Sequence, residues 1–151
     1  MSARILLVCS PGGHLYQMLA LEPCWRELEA TWITLPGIDV DHALAGCDVV
    51  LGHGPTNRSL RALARNLVVA WRTVRGVRPE VILSTGAGLA VPFFWIGRLH
   101  GVRLVYVESL TRTETLSLSG RLVYPFADAF FVQWPGLVGS LRRARHVGNL
   151  L

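Results

Sequence analysis

Residues 4–14 read RILLVCSPGGH, and this stretch decides the fold class. An apolar, β-rich run ends in paired glycines, and residues that favour a helix continue to position 28. The pattern predicts a first strand, a tight loop and the N-terminus of a helix. Glycines let a backbone approach a ligand closely, and the free N–H groups at a helix start attract anions such as phosphate. Because His14 lies on the same loop and can move a proton near neutral pH, we expect a site that binds a phosphorylated ligand and activates a hydroxyl group.

The same stretch also permits a simpler interpretation. Paired glycines after a strand often serve only to turn the chain, and a single histidine is more often a surface residue than a catalyst. The loop lacks the G-x-G-x-x-G spacing of dinucleotide-binding folds and the G-x-x-x-x-G-K-[ST] sequence of a P-loop. The first loop alone therefore leaves both interpretations open.

Five further apolar, β-rich runs recur along the chain. They cover residues 31–35, 48–52, 81–84, 103–107 and 129–133. Segments long enough for helices separate most of these runs, a pattern typical of βαβ units. We therefore predict an α/β fold with a doubly wound, Rossmann-like parallel sheet, formed by residues 1–151 as a single domain.

Composition narrows the class of partner. Hydrophobic residues make up 51% of the chain and charged residues 17%, so we exclude intrinsic disorder and expect an apolar surface that contacts a partner or a membrane. The formal charge of +5, carried by fifteen arginines and no lysine, fits an anionic lipid or a phosphorylated substrate. We expect no nucleic-acid partner, because no basic run is interleaved with aromatic residues.

Three cysteines without C-x-x-C spacing indicate neither a zinc site nor disulfides, and fit a reducing cytoplasm.

Residues 57–75 show the clearest helical periodicity. The apolar positions predict one buried stripe, made of Leu60, Leu63, Leu67, Trp71 and Val74. Five arginines fall on the opposite side of the helix: Arg58, Arg61, Arg65, Arg72 and Arg75. They form either a solvated face or a cationic strip that faces anionic lipid headgroups or a phosphorylated acceptor. No run reaches the ~20 apolar residues of a membrane-spanning helix, since Pro92 interrupts the longest one.

Two further loops follow predicted strands. Residues 84–88, STGAG, can bind phosphate through backbone N–H groups, or can form only a tight turn with hydroxyl caps. Glu108 and Ser109 end the fifth predicted strand, where a carboxylate can accept hydrogen bonds from a sugar or pair with Arg112. A doubly wound sheet binds its ligands at the carboxyl ends of its strands, so we expect the three loops to form one site.

Taken in order, these motifs resemble those of a known family. The resemblance is carried by SPGGH at 10–14, STGAG at 84–88 and VES at 107–109, together with Pro92, Arg112, YP at 124–125, Asp128 and QWP at 133–135. The chain resembles the Alg-fourteen-like family of oligosaccharide biosynthesis proteins, which includes the bacterial PssD-type exopolysaccharide subunits. It is more distantly similar to the N-terminal domain of the glycosyltransferase MurG. The match covers nearly the whole chain and is weakest at 35–57.

The resemblance implies the N-terminal, acceptor-binding half of a GT-B glycosyltransferase whose two halves are separate chains. It implies a donor-binding partner of the Alg-thirteen-like or PssE type. It also implies transfer of a hexosyl unit from a nucleotide diphosphate sugar, for which we expect UDP, to a polyprenyl-diphosphate-linked sugar acceptor. Eukaryotic members carry an N-terminal membrane anchor, whereas this chain begins at its first strand. We therefore expect a cytoplasmic protein, peripheral at the inner face of the plasma membrane.

The resemblance also assigns roles to single residues. Gly12 and Gly13 match the first glycine-rich loop, and Gly86 and Gly88 match the second; both loops handle the diphosphate of the acceptor. His14 matches the loop histidine proposed as general base.

The remaining predicted residues lie on the second and third loops. Glu108 matches the cleft carboxylate near the acceptor sugar and is the second candidate for the base. Ser84, Thr85, Ser109 and Arg112 complete the predicted acceptor and diphosphate site. We expect no cofactor and no metal, because no aspartate pair for a divalent metal is present. The alternative function is a non-catalytic module that binds a nucleotide or phosphate in a regulatory or scaffold role.

Overall fold

The computed structural model describes residues 1–151 and contains a seven-stranded sheet. The strands are β1 (Arg4–Val8), β2 (Glu29–Thr34), β3 (Asp48–Leu51), β4 (Val81–Ser84), β5 (Arg103–Val107), β6 (Ala129–Val132) and β7 (Ala144–His146). Their order is β3-β2-β1-β4-β5-β6-β7, and every neighbouring pair is parallel. The Rossmann-like α/β prediction is confirmed. Strand β7 was not predicted, because its three residues include an arginine and a histidine and form no apolar run.

Six α-helices and one 3₁₀ helix connect the strands. They are α1 (Gly13–Ala20), α2 (Glu22–Trp25), α3 (Ile38–Ala43), α4 (Leu60–Val77), α5 (Ala90–Leu99) and α6 (Leu118–Val123), and the 3₁₀ helix spans Pro135–Ser140. The single helix predicted up to position 28 was wrong. It is divided at Leu21, because Pro23 lacks the N–H that a continuous helix needs and instead lies in the first turn of α2.

Alternating side chains build a hydrophobic core on each face of the sheet. On one face, Leu104 and Tyr106 of β5 pack with Phe94 of α5, and residues of α4 and α6 belong to the same core. On the other face, Leu7 of β1 packs with Met18 of α1, and α3 completes the cluster. The apolar runs that predicted the strands are therefore explained by burial on both faces.

The second face is covered incompletely. Side chains of β4, β5 and β6 border an open groove of about 440 Å³ beside α2. The strand residues along it are Val81, Leu83, Val105, Val107 and Phe131. Parallel sheets normally carry helices on both faces, but here no helix lies over the groove, and Val147, Gly148 and Leu150 of the C-terminal segment border one side of it.

The buried side of α4 differs from the predicted stripe. Its buried residues are Ala62, Asn66, Ala70, Thr73 and Val74. Leu60 is 82% exposed and Trp71 is 44% exposed, so the prediction was wrong for both. Small side chains let α4 pack closely on α5, which leaves large apolar side chains at the surface beside the arginines. No helix of the structure is both long enough and apolar enough to span a membrane.

Asp128 joins the amino ends of β5 and β6 to α5. Its Oδ2 accepts a hydrogen bond from the Leu104 amide at 2.7 Å, and Arg98 pairs with Oδ1 at 3.2 Å. Partial burial on its own raises the pKa of Asp128, but the Leu104 amide and then Arg98 outweigh it and hold the pKa below its ordinary value.

We expect Asp128→Asn to lower the free energy of unfolding by less than about 1 kcal/mol at neutral pH, because the ion pair is exposed and the new amide can still accept from Leu104. A carboxylate whose pKa is lower in the folded state than in the unfolded state stabilises the fold at pH values above the unfolded-state pKa. That stabilisation is lost as the pH falls through the folded-state pKa. Urea unfolding should therefore show that the difference in free energy of unfolding between the wild-type chain and Asp128→Asn becomes smaller from neutral to acid pH. Glu27→Gln, at an exposed carboxylate, is the control, and a difference that persists unchanged at acid pH contradicts the prediction.

Candidate functional site at the carboxyl edge of the sheet

Four loops meet in a cavity at the carboxyl edge of the sheet. The cavity has a volume of about 620 Å³ and is bordered by residues that follow β1, β3, β4 and β5. Helices α1, α4, α5 and α6 all begin at it. Ligands of doubly wound sheets bind outside the carboxyl ends of the strands, so this cavity is the candidate functional site.

His14 lines the cavity and is held by two hydrogen bonds to Thr85. Its Nδ1 atom lies 2.8 Å from the Thr85 carbonyl oxygen, and the Thr85 hydroxyl donates to the His14 carbonyl over 2.6 Å. A carbonyl oxygen only accepts, so Nδ1 carries the hydrogen. In the neutral ring Nε2 then keeps its lone pair and is the free proton acceptor of the ring.

Two glycines of the 84–88 loop make room for their neighbours. A Cβ atom on Gly86 would lie 2.8 Å from Cε1 of His14, and the φ of +122° there is strained for other residues. A Cβ atom on Gly88 would overlap the carbonyl oxygen of Thr56. Gly86 thus admits the imidazole ring, and Gly88 lets the loops after β3 and β4 touch.

The segment between β3 and α4 supplies cavity residues that sequence reasoning missed. They are Thr56, Asn57 and Ser59. Arg58, which was predicted in the arginine strip of the helix, lies in this segment before α4 and also lines the cavity. Asn66 fixes the segment from α4: its Oδ1 accepts from the His53 amide at 2.7 Å and its Nδ2 donates to the His53 carbonyl at 2.9 Å. The available signal was the run GPTN at 54–57 after a predicted strand, to which sequence reasoning assigned no role.

The predicted site residues divide into two groups. His14, Gly88, Ser109 and Arg112 line the cavity, whereas Gly12, Gly13, Ser84, Thr85, Gly86 and Glu108 do not. Ser84 and Thr85 are fully buried, and the Ser84 hydroxyl accepts from the Gly86 amide at 3.1 Å. The Gly12 amide donates to Asp39 at 2.6 Å, so this N–H already has an acidic partner. Glu108 is 1% exposed and bonds to its own loop.

The cavity is basic. Arg58 and Arg112 line it, and no aspartate or glutamate does. The N-termini of the surrounding helices add positive partial charge. The arrangement suits an anionic ligand.

Two buried groups next to the site stay protonated at neutral pH. Burial raises the pKa of the Tyr106 phenol, and the nearby charge of Glu108 raises it further. Burial also raises the pKa of the Cys9 thiol to about 12, with a second contribution from Asp39. Because the thiolate is the reactive form of cysteine, Cys9 is a core residue rather than a nucleophile.

The fold resembles the N-terminal domain of GT-B glycosyltransferases. MurG of Acinetobacter baumannii superposes with a TM-score of 0.72 at 15% sequence identity, over 89% of this chain and 42% of MurG. A UDP-N-acetylglucosamine 2-epimerase superposes with a TM-score of 0.77 at 16% identity, over 99% of this chain and 49% of the epimerase. At these identities the likeness concerns the fold alone.

Sequence comparison then identifies the family. The family described as "Oligosaccharide biosynthesis protein Alg14 like" matches residues 53–150. The UDP-N-acetylglucosamine transferase subunit ALG14 of Eremothecium gossypii is 44% identical over 124 residues, covering 76% of this chain and 55% of that protein. The Homo sapiens subunit of the same name is 34% identical over 84 residues, covering 52% of this chain and 39% of that protein. The chain belongs to the Alg14-like family, and it spans about half the length, or less, of these curated relatives.

Removal of the Thr85 hydroxyl tests one of the two hydrogen bonds that hold His14, the one from the hydroxyl to the His14 carbonyl. We expect Thr85→Val to lower the free energy of unfolding by about 1–3 kcal/mol, because the His14 carbonyl loses its donor, and to shift the NMR signals of the His14 ring. Thr85→Ser keeps the hydroxyl and should leave the ring signals in place. Equal stability and unchanged ring signals in the valine variant would show that the hydroxyl does not hold the loop.

Proposed function

We propose that this chain is the acceptor-binding and membrane-recruiting subunit of a two-chain glycosyltransferase. It binds a polyprenyl-diphosphate-linked sugar, and a donor-binding partner supplies the nucleotide diphosphate sugar. One observation carries the proposal: the cavity combines two arginines, an oriented histidine and apolar side chains, and no carboxylate lines it.

The diphosphate of the acceptor fits the basic part of the cavity. Guanidinium groups bind phosphate oxygens through paired, charge-assisted hydrogen bonds, and Arg58 and Arg112 are the arginines that line the cavity. Arg58 has a φ of +53°, which is uncommon for a residue with a side chain. Residues held in such conformations cluster at ligand sites, which supports a binding role for Arg58.

The lipid part of the acceptor fits the apolar side of the same cavity. Leu60, Leu118 and Leu122 border it and are 82%, 54% and 39% exposed. Exposed leucines grouped beside a pocket mark a contact surface, because covering them removes apolar area from water. An isoprenyl chain that leaves the diphosphate can cover them.

The reaction needs a base for the acceptor hydroxyl. Nε2 of His14 takes the hydroxyl proton while the oxygen attacks the anomeric carbon, and the bond from that carbon to the nucleotide diphosphate breaks. Such a base contributes roughly 10²–10⁴-fold in rate. Direct displacement inverts the anomeric configuration. Groups on the partner chain stabilise the departing nucleotide diphosphate.

A donor-binding partner is supported by what this chain leaves uncovered. The curated relatives are named transferase subunits. The apolar groove along β4, β5 and β6 is the surface that we expect the partner to cover. Since those relatives are named UDP-N-acetylglucosamine transferase subunits, UDP-N-acetylglucosamine is the first donor to test.

The decisive experiment expresses this chain and its candidate partner singly and together in membranes. Radiolabelled UDP-sugars and polyprenyl-diphosphate-linked sugars are then supplied, and transfer is measured. We expect transfer only when both chains are present. Transfer by the partner alone would remove this chain from catalysis, and ligand binding without transfer in any combination would favour the alternative, a non-catalytic regulatory or scaffold module.

Replacement of the base separates its chemistry from its packing. Asparagine at position 14 can still donate to the Thr85 carbonyl but has no atom at the place of Nε2. We expect His14→Asn to lower kcat by roughly 10²–10⁴-fold while complex formation is unchanged. His42→Asn, at an exposed histidine of α3, is the matched control. Retention of full activity by the position-14 variant would place the base on the partner.

Peripheral membrane contact at the inner face of the plasma membrane is supported by the outer side of α4. Trp71 is 44% exposed and Val68 is 50% exposed, and Arg75 lies over the Trp71 ring at 5.5 Å. An exposed tryptophan among arginines suits the interface of an anionic bilayer. This assignment gives the arginines of α4 a lipid partner.

Vesicle binding tests that assignment. Each arginine near an anionic surface contributes about 1 kcal/mol, so Arg72→Gln with Arg75→Gln should weaken binding to phosphatidylglycerol vesicles about 30-fold. Arg4→Gln with Arg26→Gln removes the same charge elsewhere on the surface and should bind like the wild-type chain. Equal weakening by both pairs would indicate only a net-charge effect.

A further inference from the structure

We propose that Glu108 is a positioning residue. Its buried carboxylate holds residues 109–117 and the start of α6 in place, and through them it sets the wall of the cavity that carries Arg112. It does not take the proton of the acceptor. The consequence for ligand binding rests on the proposed function, whereas the consequence for the loop does not.

The carboxylate of Glu108 is occupied by donors from its own loop. Oε1 accepts from the Ser109 amide at 2.9 Å, and Oε2 accepts from the Ser117 amide at 3.0 Å. The Ser117 hydroxyl lies 3.0 Å from both oxygens and donates to one of them at a time. Glu108 is 1% exposed and does not line the cavity, so these donors rather than a ligand satisfy its charge.

Ser117 transmits this contact to α6. The Ser117 hydroxyl accepts from the Gly120 amide at 2.9 Å and caps the N-terminus of the helix. A Cβ atom on Gly120 would overlap Oε2 of Glu108, so the helix approaches the carboxylate as closely as its backbone allows. The carboxylate thus joins the end of β5 to the start of α6 and closes the loop between them.

The closed loop forms one wall of the cavity. Ser109, Thr111, Arg112, Ser117 and Leu118 all line it. Leu110 gives the loop a second anchor, because its amide donates to Gln17 at 3.1 Å and its carbonyl accepts from Trp134 at 2.6 Å. Arg112 lies between the anchors at Leu110 and Ser117, so its position depends on both.

Hydrogen–deuterium exchange of the full chain tests the structural role. In Glu108→Gln and in Ser117→Ala, the amide of residue 117, which donates to Oε2 of Glu108, should exchange about ten-fold faster or more, because each variant loses a bond between the carboxylate and residue 117. The Gly120 amide is a readout in Glu108→Gln alone, because Ser117→Ala removes its acceptor directly. Glu114→Gln changes the same charge at an exposed position of the same loop and should exchange like the wild-type chain. If Glu108→Gln does not fold, Ser117→Ala, which keeps the carboxylate, decides the test. Unchanged exchange in the folded variants would overturn the proposal.

Binding of farnesyl diphosphate, measured by calorimetry, separates positioning from proton transfer. This probe carries the diphosphate and an isoprenyl chain but has no acceptor sugar, so loss of a base would leave its affinity unchanged. A positioning role predicts about ten-fold weaker binding in each single variant and no further loss in the double variant, because both act through one contact. Unchanged affinity in Glu108→Gln, or losses that multiply, would overturn it. If the wild-type chain does not bind the probe, the proposed acceptor is wrong, and exchange alone decides the role of Glu108.

Discussion

The parallel pairing of β1 with β4 is the constraint on which the site depends. The strand order reverses at this pair, because β2 continues on one side of β1 and β4 lies on the other. Val8 stands opposite Ser84 in the register, so the chain leaves both strands at the same height. His14 and Thr85, 71 positions apart in sequence, consequently meet within hydrogen-bond distance. A slip of one residue in this pairing would turn the strand's side chains to the opposite face and separate the two loops.

A buried amide network extends the same edge toward β6. Gln17 and Gln133 are 4% and 2% exposed, and Nε2 of Gln133 donates to Oε1 of Gln17 at 2.6 Å and to the Glu108 carbonyl at 3.0 Å. Helix α1 is thereby connected to the ends of β5 and β6. Buried polar groups that find all their partners restrict a structure to one arrangement, since each broken bond leaves an unpaired group away from water. The loops that carry His14 and Arg112 are thus attached to the sheet by side chains as well as by the backbone.

The strands could be predicted because burial on both faces of a parallel sheet produces continuous apolar runs. The buried side of α4 could not, because periodicity shows which residues share a side of a helix but not which side meets the core. Leu60 and Trp71 follow the apolar spacing, yet Ala62 and Ala70 face the core, since small residues permit close packing on α5. The bonds from Glu108 to Ser117 left no pattern in the sequence, because they join a strand end to a helix cap across nine positions.

Under the proposed function, the site would be divided between two chains, and this division sets what this chain can contribute to the reaction. A general base provides roughly 10²–10⁴-fold, whereas enzymes accelerate their reactions by about 10⁶-fold or more. The remainder has to come from orientation of the two substrates and from charge stabilisation at the leaving group. Arg58 and Arg112 line the cavity beside His14. Under the proposed function these arginines bind the acceptor diphosphate, so neither is available to neutralise a departing nucleotide diphosphate. Under the proposed function, the transfer therefore needs a second protein surface, and the apolar groove along β4, β5 and β6 is where a partner could pack on this chain.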